Sequence, residues 1–138
     1  SITGCWASRA YVRANGAPET PSELAKHACI VIGAAPQVTW TFQSGSREQR
    51  IAVSGRVRVD SFRVGCALAA RGAGIVRTAR LLADPLVESG ALVPVLERWW
   101  TKTPLHAVHA GPNPPPPKVR AFVELARAAV SERLARYA

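Results

Sequence analysis

Residues 51–96 read IAVSGRVRVDSFRVGCALAARGAGIVRTARLLADPLVESGALVPVL, and the changes of period along this stretch decide the fold. Ile51, Val53, Val57 and Val59 alternate with Arg50, Ala52, Ser54, Arg56 and Arg58. A period of two describes an extended segment with one buried face. Gly55 interrupts it, so a bend or two separate strands are predicted. At Asp60-Ser61 the period lengthens. Residues 62–71 (FRVGCALAAR) predict a helix, capped by Asp60 or Ser61 and closed by Gly72. Ile75-Val76 predicts a short buried strand. Residues 81–88 are helical again, with Asp84-Pro85 as N-cap and first-turn proline and Gly90 as the stop. Leu92, Val93, Val95 and Leu96 make a last strand. Strand, capped helix, strand, helix, strand is an α/β unit with parallel pairing.

The turn at Val59-Asp60-Ser61-Phe62 carries the functional interest. In open α/β sheets, ligands bind beyond the carboxyl ends of the strands. A helix N-terminus there offers free N–H groups and partial positive charge, which suits an anion. Asp60 and Ser61 also fit a plainer role, as helix caps with no ligand.

A chain of 138 residues fits one domain or two small lobes, and an apolar share of 48% fills a modest core. No apolar run reaches the roughly 18 residues of a membrane span. The start, SITGCW, lacks a basic region followed by an apolar one, so no signal peptide is expected. The chain has no Met at all, which is expected of a processed chain or a piece of a longer one. Cys5, Cys29 and Cys66 are odd in number and far apart. They make no metal spacing with each other or with His27, which points to small core residues in a reducing, cytoplasmic setting. The net charge of +9 rests on fifteen Arg and three Lys. Such a surface attracts anionic ligands and nucleic acid, yet the arginines form no run and no aromatic platform interleaves them.

Upstream, Cys5-Trp6-Ala7 predicts a strand. Ser8 caps a helix that Asn15-Gly16 ends. Thr20-Pro21-Ser22-Glu23 has the form of a capping box with proline at the first helical position. Residues 29–32 predict a buried strand closed by Gly33. Trp40 and Phe42 share one side of another strand, followed by a turn at 43–47. Trp99 and Trp100 are adjacent and cannot share one strand face, so one ring is expected at the surface or in an interface. Residues 105–110 predict a strand with His106 and His109 on opposite faces, which argues against a shared metal. Residues 112–117 include four consecutive prolines and form a stiff connector. A last helix over about 118–136 carries an apolar stripe that includes Val119, Phe122, Val123, Ala126 and Val130 and is expected to dock on a sheet. It lacks the dense basic face of a DNA-reading helix.

The chain contains no G-x-G-x-x-G after a strand, no Walker loop, no H-E-x-x-H and no G-x-S-x-G. No catalytic triad follows from its spacings. It is therefore expected not to be an enzyme, with no cofactor and no metal.

Several stretches together resemble the effector-binding domain of LysR-type transcriptional regulators. The first is Ala7-Ser8-Arg9-Ala10-Tyr11-Val12 with Gly16, Pro18, Thr20-Pro21, Glu23-Leu24-Ala25, His27 and Cys29-Ile30, where Arg9 replaces the usual proline. The others are Trp40-Thr41-Phe42 with Val53-Ser54-Gly55-Arg56-Val57; Val59-Asp60-Ser61 continuing through Ala67-Leu68-Ala69-Ala70 and Gly72-Ala73-Gly74-Ile75; Ser89-Gly90-Ala91-Leu92-Val93-Pro94-Val95-Leu96; and Leu105-His106-Ala107-Val108 with Pro117-Lys118-Val119-Arg120-Ala121-Phe122-Val123. No single motif is specific, but the ordered set spans nearly the whole chain.

The resemblance implies a periplasmic-binding-protein-like (type 2) α/β effector domain, here incomplete. One Rossmann-like second lobe would span about 8–103. Residues 104–138 would supply a returning strand and the C-terminal helix of the first lobe, with connecting strands near Cys5-Trp6 and Leu105-Val108. The family's N-terminal winged helix-turn-helix and most of its first lobe have no counterpart. A small effector would bind in the interlobe cleft and modulate DNA binding and transcription. Its contacts here would be Asp60, Ser61, Phe62, Ile75, Val76 and Arg77, with Arg77 either favouring an acidic effector or facing solvent. DNA contact would come only through the N-terminal domain, in a cytoplasmic homo-oligomer without membrane contact. The alternative is a truncated interaction module that oligomerises without sensing a ligand, because half a domain leaves Phe122, Val123 and Val130 uncovered.

Overall fold

The structure, a computed structural model, describes residues 1–136. The chain divides into two compact units, residues 2–103 and the part from Pro104 onward together with Ser1. In the larger unit the elements run β1 (Ile2–Ala7), α1 (Arg9–Asn15), a 3-10 turn (Pro21–Lys26), β2 (Cys29–Ile32), β3 (Gln37–Ser44), β4 (Arg47–Ser54), β5 (Val57–Val59), α2 (Phe62–Ala70), β6 (Ile75–Ala79), α3 (Arg80–Glu88), β7 (Val93–Val95), a 3-10 turn (Glu97–Trp99) and β8 (Thr101–Lys102).

The main sheet has the order β5-β2-β6-β1-β7, with β8 also paired to β1. The parallel pairing expected of the whole unit holds for β5, β2 and β6. It fails at β1, which lies antiparallel to β6, β7 and β8. The reason is the chain's first strand. It enters in the opposite sense and inserts between β6 and β7, so those two never meet. A local reading of residues 51–96 contains no trace of that insertion.

Alternation in the strands sends side chains to two apolar layers. Trp6, Ile30 and Val76 pack with Cys66 and Ala69 of α2 and Ala83 of α3. Cys5, Ala7, Cys29, Val31 and Ile75 pack on the other face with Trp40, Phe42 and Val53 of the β3-β4 hairpin and Tyr11 of α1. The sheet is thus sandwiched between a helical layer and a layer built of hairpin and α1. Its most buried large side chains include Trp6 and Phe42, at 1% exposure each. Burial of such a residue contributes about 1.5–3 kcal/mol. α2 approaches the sheet so closely that a Cβ on Gly65 would stand 2.7 Å from Cδ1 of Ile32.

Several local expectations are met. Gly55 separates β4 from β5. Ser8 caps α1 by accepting the Tyr11 N–H at 3.0 Å. Trp40 and Phe42 are both buried on the same side of β3.

Others are corrected. Asp84-Pro85 does not start a helix. α3 runs unbroken from Arg80, with Pro85 inside it, because β6 feeds directly into a helix packed on α2 and β1. That packing outweighs the roughly 3 kcal/mol an interior proline costs. Asp84 is buried within the helix, with Oδ1 3.5 Å from Nε of Arg80. The Thr20 capping box does not close either. Thr20 makes no side-chain cap, and the Glu23 carboxylate reaches past it to accept the Glu19 N–H at 2.8 Å. Neither tryptophan of the Trp99-Trp100 pair is stranded at the surface. Trp99 packs into the hairpin layer, and Trp100 packs against Trp6 in the helical layer.

In the smaller unit, residues 105–110 form no strand. Leu105 and Val108 are 56% and 92% exposed, and no ladder among the described residues includes them. α4 (Pro117–Ala135) begins with the proline at its first position and contains no buried residue. Of its expected apolar stripe, Phe122 and Val130 are 70% and 40% exposed, and Leu125, outside that stripe, is 71% exposed. Neither α4 nor any other described helix is long and apolar enough to cross a membrane. Residues 137 and 138, at the expected end of the chain's last segment, lie outside the described residues.

Candidate functional site

The carboxyl ends of β2 and β5 emerge side by side, because Ile32 is paired in parallel with Val59. Gly33 continues the ladder by donating its N–H to the Val59 carbonyl at 2.8 Å. The chain then turns through Asp60 and Ser61 into α2. Of the two possible caps, Ser61 is the one used. Its Oγ accepts the Val64 N–H at 3.5 Å, and its carbonyl accepts the Gly65 N–H at 2.9 Å. Asp60 is left exposed and makes no cap. The first turn of α2 carries no acidic residue. Its leading N–H groups therefore keep their affinity for an anion.

An open depression of about 510 Å³ lies at this strand end, lined by Gly33, Ala34, Arg58, Val59, Asp60 and Val64. Its chemistry is mixed. Arg58 supplies a planar donor fork, Asp60 supplies two acceptor oxygens, and Val64, 47% exposed, supplies apolar surface. Ser61 and Phe62 follow Asp60 in the chain and are not among the lining residues, Phe62 being 45% exposed.

The structure separates the six residues expected to contact an effector. Asp60, Ser61 and Phe62 stay together at the strand end. Ile75 and Val76 are fully buried, one in each apolar layer. Arg77 turns away from α2 toward the hairpin. Its Nη2 donates to the Thr41 carbonyl at 2.7 Å and to Oγ1 of Thr101 at 2.9 Å. Its guanidinium lies 5.4 Å from the centre of the Phe42 ring. Burial lowers its pKa from the ordinary arginine value, an effect opposed by the neighbouring Cys5 thiol.

Gly33, Ala34, Arg58 and Val64 have no local signal that marks them as site residues. Gly33 looks like a strand stop and Arg58 like the solvent side of an alternating strand. Only the parallel pairing of β2 with β5, distant in sequence, brings them to one place. Among the described residues no group of three or more His, Cys, Asp or Glu side chains is placed to hold a metal.

The chain as a whole matches a known family. The model of the LysR substrate binding domain matches residues 3–131. The chain is 28% identical over 126 residues to the HTH-type transcriptional activator TtdR of Escherichia coli K12, covering 90% of this chain and 41% of that protein. It is also 28% identical over 94 residues to the probable HTH-type transcriptional regulator LtrA of Klebsiella pneumoniae, over 67% of this chain and 30% of the relative. It thus spans less than half the length of these relatives. Among solved structures, the regulatory domain of CrgA, a LysR-type transcriptional regulator from Neisseria meningitidis, superposes with a TM-score of 0.66 at 25% identity, over 75% of this chain and 51% of that one. The regulatory domain of AphB from Vibrio vulnificus superposes with a TM-score of 0.63 at 22% identity, over 73% and 51%, which bears on the fold alone.

Proposed function

The chain belongs to the LysR substrate-binding-domain family, and from that premise we propose that it forms one wall of the effector site of a transcriptional regulator. The observation that supports this best is the strand-end depression itself, where Arg58, Asp60 and the N-terminus of α2 converge beside exposed Val64. A small organic acid suits it. The ligand's carboxylate would face Arg58 and the helix N-terminus. A hydroxyl or amino group would donate to Asp60, and its carbon body would lie on Val64. Binding would favour one arrangement of the regulator's lobes and so alter how an oligomer presents its DNA-binding domains, in the cytoplasm, without catalysis.

The test is an amide-shift titration of the isotope-labelled chain with a panel of small hydroxy, amino and dicarboxylic acids. Saturable shifts centred on Gly33, Ala34, Asp60 and Val64 are the expected result. A full panel without saturable shifts at these four residues would overturn the assignment.

The exposure of Phe122 and Leu125 favours a second reading, an interaction module that self-associates through α4. Light scattering decides it, since a monomer at all concentrations would remove its basis.

A further inference from the structure

At the opposite pole of the sheet, where β2 and β5 begin, lies a second depression of about 520 Å³, whose lining includes Lys26, His27, Ser54 and Arg56. We propose that it is a binding site for a compact polyvalent oxyanion of the phosphate or phosphomonoester class, separate from the strand-end depression and independent of the effector role. Three observations carry it.

The first is charge. Every ionisable side chain in the lining is basic or a thiol, and no carboxylate contributes to it. The ion pairs formed among the described residues, Arg50 with Glu48 and Arg80 with Asp84, leave Lys26 and Arg56 without a carboxylate partner. A lysine point charge and an arginine fork together suit an oxyanion with several oxygens.

The second is a third nitrogen-bearing side chain held in place. His27 ends the 3-10 turn, and its Nδ1 lies 3.0 Å from the Tyr11 hydroxyl. That hydroxyl accepts the Ala28 N–H at 3.0 Å. The contact ties the His27 ring to Tyr11 and so fixes where the ring stands in the lining. Tyr11 is buried, so the ring is held by a rigid partner.

The third is the main chain. A Cβ on Gly55 would collide with the Cys29 carbonyl, and one on Gly74 with the Ala28 carbonyl. The two glycines let the chain close on the Ala28-Cys29 backbone from both sides. The Ala28-Cys29 part of the lining is thereby fixed main chain.

The test uses the whole isotope-labelled chain and inorganic phosphate near pH 6.5, with sodium chloride at matched ionic strength as the control. Amide shifts centred on residues 25–29 and 54–57 should saturate with phosphate and not with chloride. The double variant Lys26→Ala/Arg56→Ala should weaken phosphate binding by about tenfold or more. Both residues are exposed, so its spectrum should keep native dispersion. The Lys26→Gln/Arg56→Gln pair repeats the loss of charge with longer side chains. Shifts that grow linearly and equally with both salts would overturn the site, as would undiminished affinity in either double variant. Saturable shifts centred instead on Gly33 and Asp60 would also overturn it, because the anion would then belong to the other pole.

Discussion

Nη2 of Arg77 donates to the main-chain oxygen of Thr41 at 2.7 Å. The bond joins the middle of the main sheet to a hairpin that has its own separate two-stranded ladder. Because the same nitrogen reaches Thr101 at 2.9 Å, one side chain ties three stretches of chain together. Arg77 is thereby a structural cation, and a ligand would have to displace both bonds to use it.

Arg77→Leu should therefore destabilise the fold by about 2–4 kcal/mol, since charge-assisted bonds are lost and Thr41 is left with an unmet acceptor. Urea denaturation followed by tryptophan fluorescence measures this. A loss below about 0.5 kcal/mol would show that the hairpin holds without the tie. If Arg77 is purely structural, Arg77→Lys should keep whatever organic-acid binding the wild type has.

Arg58→Ala and Ser61→Ala separate recognition from capping. Arg58 is exposed on β5, so its truncation should alter stability by no more than about 0.5 kcal/mol while removing the amide-shift response to organic acids. Ser61→Ala removes a cap whose bond is long, so a cost of about 0.5–1 kcal/mol is expected. Equal binding by wild type and Arg58→Ala would take Arg58 out of the site.

Some local elements were legible because their signals are short-range, while the equally local Asp84-Pro85 and Thr20-Glu23 signals were overridden. Ser8 before an apolar run, Gly55 within an alternation and Ser61 ahead of α2 act on neighbours within a few residues, and each does what its chemistry dictates. The layers were not legible, since Ile51 and Val53, read as sharing one side with Val57 and Val59, pack in the hairpin layer while Val57 and Val59 pack in the helical one. The site was legible only in part. Asp60, Ser61 and Phe62 follow one strand, and of the three Asp60 alone lines the depression. Arg58 and Gly33 meet only through a parallel pairing across the whole hairpin. Ile75 and Val76 end no strand, because β6 continues to Ala79 under the antiparallel ladder with β1. That continuation draws Arg77 into the sheet, and it depends on residues more than seventy positions upstream.

Phe122→Glu/Leu125→Glu should leave the thermal midpoint of the 2–103 unit unchanged, because both side chains are exposed. It should also lower any concentration-dependent self-association seen by light scattering. A fall in the midpoint of more than about 4 °C, equivalent to roughly 1 kcal/mol in a domain of this size, would show that α4 supports the larger unit.

The cysteines give the fold an alkaline limit. Cys5, Cys29 and Cys66 are all buried, and burial raises the pKa of each thiol. For Cys29 the rise is from 9.0 to about 11. Below pH 9 both folded and unfolded chains hold the proton, and its contribution is constant. Between the two values the folded chain keeps a proton that the unfolded chain has lost, so stability falls as pH rises. The slope is about 1.4 kcal/mol per pH unit for one thiol, or about 3 kcal/mol over the window. Cys29→Ala should flatten the wild-type stability curve across that interval while leaving its shape below pH 9 unaltered. Parallel curves for the two proteins between pH 9 and 11 would show that Cys29 ionises as readily folded as unfolded. The same burial predicts slow reaction with a disulfide reagent at pH 8, rising to three rapidly titrated thiols only when denaturant opens the sheet.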